Sequence, residues 1–249
     1  MTIALVCPSC HGPLDLYDAE VACGAEGIDF PLRDGVPELI LPASRKRVSR
    51  FLSRYLAVRH AERWTDDDRT ALLALPYEDL VGGRAWMWRV RARGLDALKG
   101  ILATHFGARR VRVVERGAGV AWLSYRLAIE GHEVLATDVN LDPRDGLGAA
   151  RHYAEAGVAV ARCGAEAERL PLAAGSVDLV VDAASFHYGL QTASVREAAR
   201  VLAPGGLLAI VDSPVYSSRL AGEAMLAEWR DRIEAEGREA APSGYLVRD

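Results

Sequence analysis

The stretch Val111-Arg112-Val113-Val114-Glu115-Arg116-Gly117-Ala118-Gly119-Val120-Ala121-Trp122 decides the fold. Apolar, mostly β-branched residues lead through two glycines into a helical pattern, which is how a buried strand turns directly into a helix. Small residues at such a turn let backbone N–H groups and the positive end of a helix dipole come close to a ligand. Asp138 closes a second apolar strand, residues 133–137, about twenty residues further on. At that remove, a carboxylate in a nucleotide-binding βαβ unit accepts hydrogen bonds from both ribose hydroxyls.

Working outward, the chain alternates strand and helix patterns, with strands expected near 111–115, 133–137, 158–162, 177–182 and 206–212. Such alternation predicts a parallel sheet covered on both faces and joined by right-handed crossovers, with ligands at the carboxyl ends of the strands. Upstream, Val48, Phe51, Leu52, Tyr55 and Leu56 predict an amphipathic helix over 44–60 with its basic side outward. Thr65-Asp66-Asp67-Asp68 reads as the cap and acidic first turn of a short helix that stops before Pro76. Residues 84–106 form a third helix. Trp64, Trp86 and Trp88 read as core, the alternative being the wall of an acceptor pocket.

In order along the chain, the blocks Glu115-Arg116-Gly117-Ala118-Gly119, Asp138, Glu166-Ala167-Glu168-Arg169-Leu170-Pro171, Val177-Asp178-Leu179-Val180-Val181 and Leu202-Ala203-Pro204-Gly205-Gly206 resemble class I S-adenosylmethionine-dependent methyltransferases. The resemblance implies an α/β, doubly wound, mostly parallel sheet of Rossmann-like methyltransferase type, with S-adenosylmethionine as cofactor. It assigns Glu115 and the Gly117, Ala118 and Gly119 backbone to the methionine part of the cofactor, Asp138 and Val139 to the ribose side, Glu166 and Ala167 to the adenine, and Ala183 to the sulfonium. Arg116, Ala121 and Ala183 depart from the family pattern. A buried guanidinium at 116 is costly unless Glu115 or Asp138 pairs with it, and Ala121, where the family prefers a third glycine, adds only a methyl at a helix start. Methyl transfer to an acceptor that is already nucleophilic depends mainly on in-line positioning. His187 is the candidate base; its alternative is a core histidine in the Phe186-His187-Tyr188 cluster.

At the other end, Cys7-Pro8-Ser9-Cys10-His11 makes one cysteine knuckle, and Cys23-Gly24-Ala25-Glu26 makes a second with a carboxylate in its last position. Two complete knuckles would give a closed tetrahedral zinc site. Cys7, Cys10 and Cys23 with Glu26, or with His11, are the candidate ligands for zinc. The alternative is a metal-free ribbon held by Leu14, Leu16, Val21, Ile28 and Phe30. Residues 27–39 are similar to the end of the zinc-ribbon domains that precede some methyltransferases and that also occur as a separate methyltransferase activator subunit. Cys163 reads as a buried thiol.

The 249 residues thus divide into a β-rich ribbon (1–42), a helical connector and cap (43–108) and a methyltransferase domain (109–249) that is C-terminally short. Beyond the fifth strand the only regular element expected is a helix over 218–239. The family usually continues with an antiparallel strand pair, so a homo- or hetero-dimer is expected to cover the open edge of the fifth strand. A formal net charge of −4 argues against a surface that tracks nucleic acid throughout, although arginines concentrate between Arg45 and Arg93. No apolar run spans a membrane and no basic leader precedes Ile3, so a cytoplasmic location is expected. The acceptor is expected to be a small molecule or an RNA base, the latter because the layout is similar to that of rRNA guanine methyltransferases with an N-terminal zinc module. The competing class is an inactive pseudo-methyltransferase that serves as a binding or scaffold subunit.

Overall fold

A computed structural model describes residues 3–64 and 67–248. Four short antiparallel strands open the chain: β1 (Asp15–Leu16), β2 (Glu20–Cys23), β3 (Ile28–Arg33) and β4 (Val36–Pro37). Three helices follow, α1 (Pro42–Glu62), α2 (Arg69–Ala74) and α3 (Ala85–Phe106). Thr65 and Asp66 of the expected cap lie outside the described residues. The residue that caps α2 is Asp68, whose carboxylate accepts from the Ala71 amide at 2.7 Å.

Next come β5 (Arg112–Arg116), α4 (Trp122–Ile129), β6 (Glu133–Asp138), α5 (Arg151–Glu155), β7 (Ala161–Gly164), β8 (Val177–Ala183), α6 (Gln191–Val201) and β9 (Leu202–Val211). The five strands are all parallel in the order β7-β6-β5-β8-β9, with the first strand of the sheet at its centre. Two corrections concern strand limits. β7 begins three residues later than the pattern suggested. β9 begins at Leu202 rather than 206, because a bulge lets Pro204-Gly205-Gly206 pass between the pairs Val177↔Leu202 and Leu179↔Leu207.

The chain ends with β10 (Val215–Tyr216), α7 (Arg219–Ala235) and β11 (Leu246–Val247). Here too the expectation is corrected: β10 and β11 pair in parallel as a separate two-stranded sheet. They do not extend the main sheet, and β9 pairs with β8 alone. Ser218 caps α7 through its hydroxyl, which accepts from the Ala221 amide at 3.2 Å.

Strand alternation sends successive β5 side chains to opposite faces. Val113 packs with Leu95, Leu98, Leu123 and Leu127 of α3 and α4. Val114 packs on the other face with Leu170, Ala198 and Val201, and also with Cys7, Cys23, Phe30 and Leu39 of the ribbon. The ribbon is therefore not a separate lobe but part of the cover of the parallel sheet, and burying Phe30 completely contributes roughly 2–3 kcal/mol. Its backbone also closes the β7 edge: the Leu39 amide donates to the Gly164 carbonyl at 2.8 Å, and the Val6 amide donates to the Pro171 carbonyl at 2.9 Å. Among the described residues no helix is long and apolar enough to cross a membrane.

Candidate cofactor and acceptor site

The turn after β5 alternates left-handed residues: Gly117, Gly119 and Ala121 have φ of 62°, 54° and 57°. Gly117 is required sterically, since a Cβ there would stand 2.5 Å from the Cβ of Ser185. The Ser185 hydroxyl donates to the Arg116 carbonyl at 2.7 Å and so clamps the loop to the end of β8. Nothing lies within 4 Å of where a Gly119 Cβ would point, so open space faces the loop there. Ala121 is more than a tolerated methyl at a helix start. Its left-handed backbone is disfavoured for a residue with a Cβ, and its side chain is completely buried.

Ala121 has no side-chain oxygen with which to cap α4. Glu115 takes that role from below: its carboxyl accepts from the Ser124 amide at 2.8 Å and from the Ser124 hydroxyl. Burial pushes its pKa up to about 8. Glu115 is 1% exposed, so it supports the loop from behind. Arg116 points to the opposite face. Its guanidinium is completely buried and pairs in a fork with Asp182 at 3.1 and 2.5 Å, while Nη1 donates to the carbonyls of Ala167 (3.1 Å) and Ser194 (2.7 Å). The partner that satisfies it is Asp182 on β8, not Glu115 or Asp138, and the guanidinium stays behind the strand.

Asp138 ends β6 beside the loop and Val139 follows it, both half-buried. The Asp138 carboxylate accepts from the Gly119 amide at 2.7 Å and from the Asn140 amide at 2.8 Å, and desolvation pushes its pKa up to about 6. Glu166, buried, pairs with Arg47 of α1, while the neighbouring Ala167 is tied through its carbonyl to Arg116. Ala183 ends β8 and is followed by Ala184 at φ 57°, which turns the chain away from the sheet. His187 lies 3.4 Å from the Ser213 hydroxyl, with its ring 4.2 Å from that of Tyr188. Burial pulls its pKa down to about 4. At neutral pH it is uncharged and a weak base.

Sequence reading missed what α1 does here. Its first turns keep Arg45, Lys46, Arg47 and Arg50 outward as expected, but three of its arginines also reach carboxylates elsewhere: Arg47 pairs with Glu166, Arg54 with Glu239, and Arg59 with Asp145 in a fork at 2.7 and 2.8 Å. Arg59, Tyr55 and Glu62 line a cavity of about 300 Å³ together with Trp64, Trp86, Tyr188 and Trp229. Trp88 is 2% exposed and belongs to the core as expected, but Trp64 and Trp86 line the cavity. The cavity lies at the carboxyl end of the sheet. Asp145, the partner of Arg59, accepts from the Asn140 side chain through its backbone carbonyl, and Asn140 in turn holds Asp138. No periodicity encodes such a contact between residues separated by 86 positions in the chain.

In the ribbon, the sulfurs of Cys7, Cys10 and Cys23 lie within 4.8 Å of one another, and those of Cys10 and Cys23 are 3.6 Å apart. Thiolates about 2.3 Å from a tetrahedral zinc stand about 3.8 Å apart, so the spacing suits that ion. Backbone amides support both knuckles: the Ser9 amide donates to Cys7 at 3.4 Å, and amides of Ala25 and Glu26 face Cys23 and lower its pKa against the effect of burial. Glu26 keeps the knuckle geometry while its carboxylate accepts from the Ser9 hydroxyl at 3.3 Å, and neither it nor His11 joins the thiol group. Cys163 is buried against the sheet with its pKa pushed up to about 12, as befits an inert thiol.

Sheet order, glycine turn and terminal carboxylates together define a Rossmann-like methyltransferase fold. Residues 114–210 match the family described as a methyltransferase domain, and this part of the chain is such a domain. An uncharacterised methyltransferase of Mycobacterium tuberculosis is 39% identical over 100 residues, 40% of this chain and 39% of its own length. The chain thus spans about two fifths of the methyltransferase relatives it matches. A UPF0434 protein of Stutzerimonas stutzeri is 44% identical over 43 residues, 16% of this chain and 70% of that protein, and the cysteine-bearing ribbon belongs to that family. Among solved structures, the YcgJ protein of Bacillus subtilis is similar at 24% identity and a TM-score of 0.47, covering 60% of this chain and 63% of its own.

Proposed function

We propose that this chain is an S-adenosylmethionine-dependent methyltransferase that acts on a small molecule and works in the cytoplasm. The observation that carries the reading is the glycine turn, which opens onto free space at Gly119 with the Asp138 carboxylate beside it. The residues fit the cofactor. Backbone amides of Gly117 to Gly119 would hold its methionine end, Asp138 its ribose hydroxyls and Glu166 its adenine amine, each a carboxylate or amide meeting a group of opposite hydrogen-bonding sense. When bound, the cofactor supplies an electrophilic methyl on a sulfonium.

The chain's contribution is positioning. Ser185 fixes the loop against β8, and Arg116 with Asp182 holds the ends of β5 and β8 in register. His187, neutral and weakly basic, suits packing beside Tyr188 better than proton removal, so the acceptor enters as its own nucleophile. The departures that suggested an inactive scaffold are accommodated: Arg116 is fully paired away from the loop, and Ala121 keeps the turn's conformation.

We further propose that Cys7, Cys10 and Cys23 hold zinc as a structural ion, with Glu26 as its fourth ligand, and that a second chain covers the open edge of β9. Four free cysteines suit a reducing compartment. Calorimetric titration with S-adenosylhomocysteine tests the main reading. Micromolar binding that weakens at least tenfold in Asp138→Ala is expected, and absence of heat or thermal shift at millimolar ligand defeats it. Metal analysis of the purified chain should find about one zinc; a metal-free protein unaffected by chelator disproves that part.

A further inference from the structure

The cavity under α1 carries more positive charge than its own wall neutralises. Among the described residues its lining contains three guanidinium groups, those of Arg59, Arg84 and Arg232, and one carboxylate, Glu62. Glu62 is already shared: it accepts from the Trp64 indole at 2.6 Å and lies 3.8 Å from Arg84 and 3.9 Å from Arg232. Arg59 is neutralised by Asp145.

Behind the lining stands Arg91, which has neither hydrogen bond nor ion pair among the described residues. Its guanidinium stacks on the rings of Trp64 and Trp88 at 4.9 and 4.4 Å. Three guanidinium groups, of Arg59, Arg84 and Arg91, thus lie within 4.3–4.9 Å of the single Trp64 ring. Like charges gathered around a desolvated ring repel one another, and only part of the cost is returned by cation–π attraction. Burial and the neighbouring Arg59 pull the pKa of Arg91 down to about 10, against the opposing field of the Asp212 carboxylate, which is near it without a hydrogen bond. The Nε of Arg84 is also buried without a hydrogen-bond partner among the described residues.

The rest of the wall is flat and aromatic. Tyr55 and Tyr188 meet edge to face with centroids 5.7 Å apart, and Trp64, Trp86 and Trp229 complete the ring set. A volume of about 300 Å³ lies at the small end of ligand sites. Such a space takes one planar ring with a compact substituent, not a strand of nucleic acid. Through Asp145 and Asn140 it communicates with Asp138, and through Tyr188 with the end of β8, so an occupant lies on the acceptor side of the cofactor position.

We infer that the methyl acceptor is a small planar aromatic anion, a carboxylate or phosphate ester, whose ring lies against Trp64 and the tyrosines while Arg84 and Arg232 bind its charge. This rests on the methyltransferase reading for the acceptor role and on the cavity alone for the binding chemistry.

The test is a titration of the full chain, with and without S-adenosylhomocysteine, using 4-hydroxybenzoate and phenyl phosphate against phenol, benzylamine and a short single-stranded oligoribonucleotide. The anions are expected to bind at least about tenfold tighter than phenol or benzylamine, since a charge-assisted hydrogen bond contributes about 1.5–3 kcal/mol. Arg84→Gln and Arg232→Gln should each weaken the anions several-fold while leaving S-adenosylhomocysteine binding unchanged, which also shows that the variants are folded. Equal or tighter binding of phenol, benzylamine or the oligoribonucleotide overturns the inference, as does absence of anion binding at millimolar concentration by a chain that still binds S-adenosylhomocysteine. Anion selectivity without any S-adenosylhomocysteine binding would instead retain the cavity's chemistry and remove the methyltransferase reading.

Discussion

Two Arg–Asp pairs join the same two strands four residues apart, and they behave differently. At the amino end, Arg112 and Asp178 meet in a fork at 3.0 and 3.0 Å, with a third bond from the Arg112 amide at 2.9 Å, and the arginine is 30% exposed. At the carboxyl end, Arg116 and Asp182 form the same fork with neither side chain more than 2% exposed. The hydrogen bonds from Arg112 pull Asp178 down to about 2, whereas burial outweighs Arg116 and raises Asp182. The same Arg–Asp fork thus accompanies opposite shifts, because Asp178 keeps some contact with water and gains the Arg112 amide and a second arginine, Arg109 at 3.3 Å, whereas Asp182 is enclosed with Arg116. The buried pair matters through what happens when it is broken, the half-exposed one through its titration.

The largest effect expected follows from that difference. Asp182→Ala leaves a guanidinium buried with no counter-charge and should cost about 3–5 kcal/mol, read from the midpoint of urea unfolding. Arg116→Met combined with Asp182→Leu removes both charges and should return to within about 1–2 kcal/mol of the parent. If Asp182→Ala alone loses less than the double variant, the buried network is not what holds β5 to β8.

A smaller effect separates the pairs by pH. A depressed carboxylate contributes stability above its unfolded pKa, and that contribution is lost as pH falls through the folded one. Asp178 should therefore supply an acid limb between about pH 4 and the value of about 2. Its size should be about 1–2 kcal/mol after allowance for the exposed arginine. Asp182, raised by burial, has the opposite sign and cannot produce that limb. Unfolding at pH 4 and pH 2.5 should show the loss in the parent and not in Asp178→Asn. A limb unchanged in Asp178→Asn would place it elsewhere in the chain.

The same contrast explains how much the residues alone disclosed. The parallel sheet, its strand sequence and the glycine turn were legible because each depends on local periodicity and on backbone freedom at Gly117 and Gly119. Asp138 was legible because its spacing from the turn is fixed by one βαβ unit. The partner of Arg116 was not, since it lies 66 positions away and emerges only when β5 and β8 are laid in register. Nor was the joint core of ribbon and sheet, because Phe30 and Val114 carry no mark of mutual contact, and the departure at Arg116 looked like erosion until Asp182 was seen across from it. The ion pairs of Arg47, Arg54 and Arg59 on α1 were not legible for the same reason: their carboxylate partners come from distant loops.

Ala121 offers the finest comparison, with Gly117 and Gly119 in the same turn. All three hold φ between 54° and 62°, yet only Ala121 carries a Cβ. A left-handed backbone costs a residue with a side chain roughly 1–2 kcal/mol. Against that, the methyl is fully buried, and a buried methyl group returns about 0.8 kcal/mol. Ala121→Gly should therefore gain only about 0.5 kcal/mol, or roughly 1–2 °C in the thermal midpoint for a chain of this size. A loss of 1 kcal/mol or more would mean that packing of the methyl beneath the loop outweighs backbone strain, and that the third small residue of the turn is kept for the helix it starts rather than for the ligand it faces.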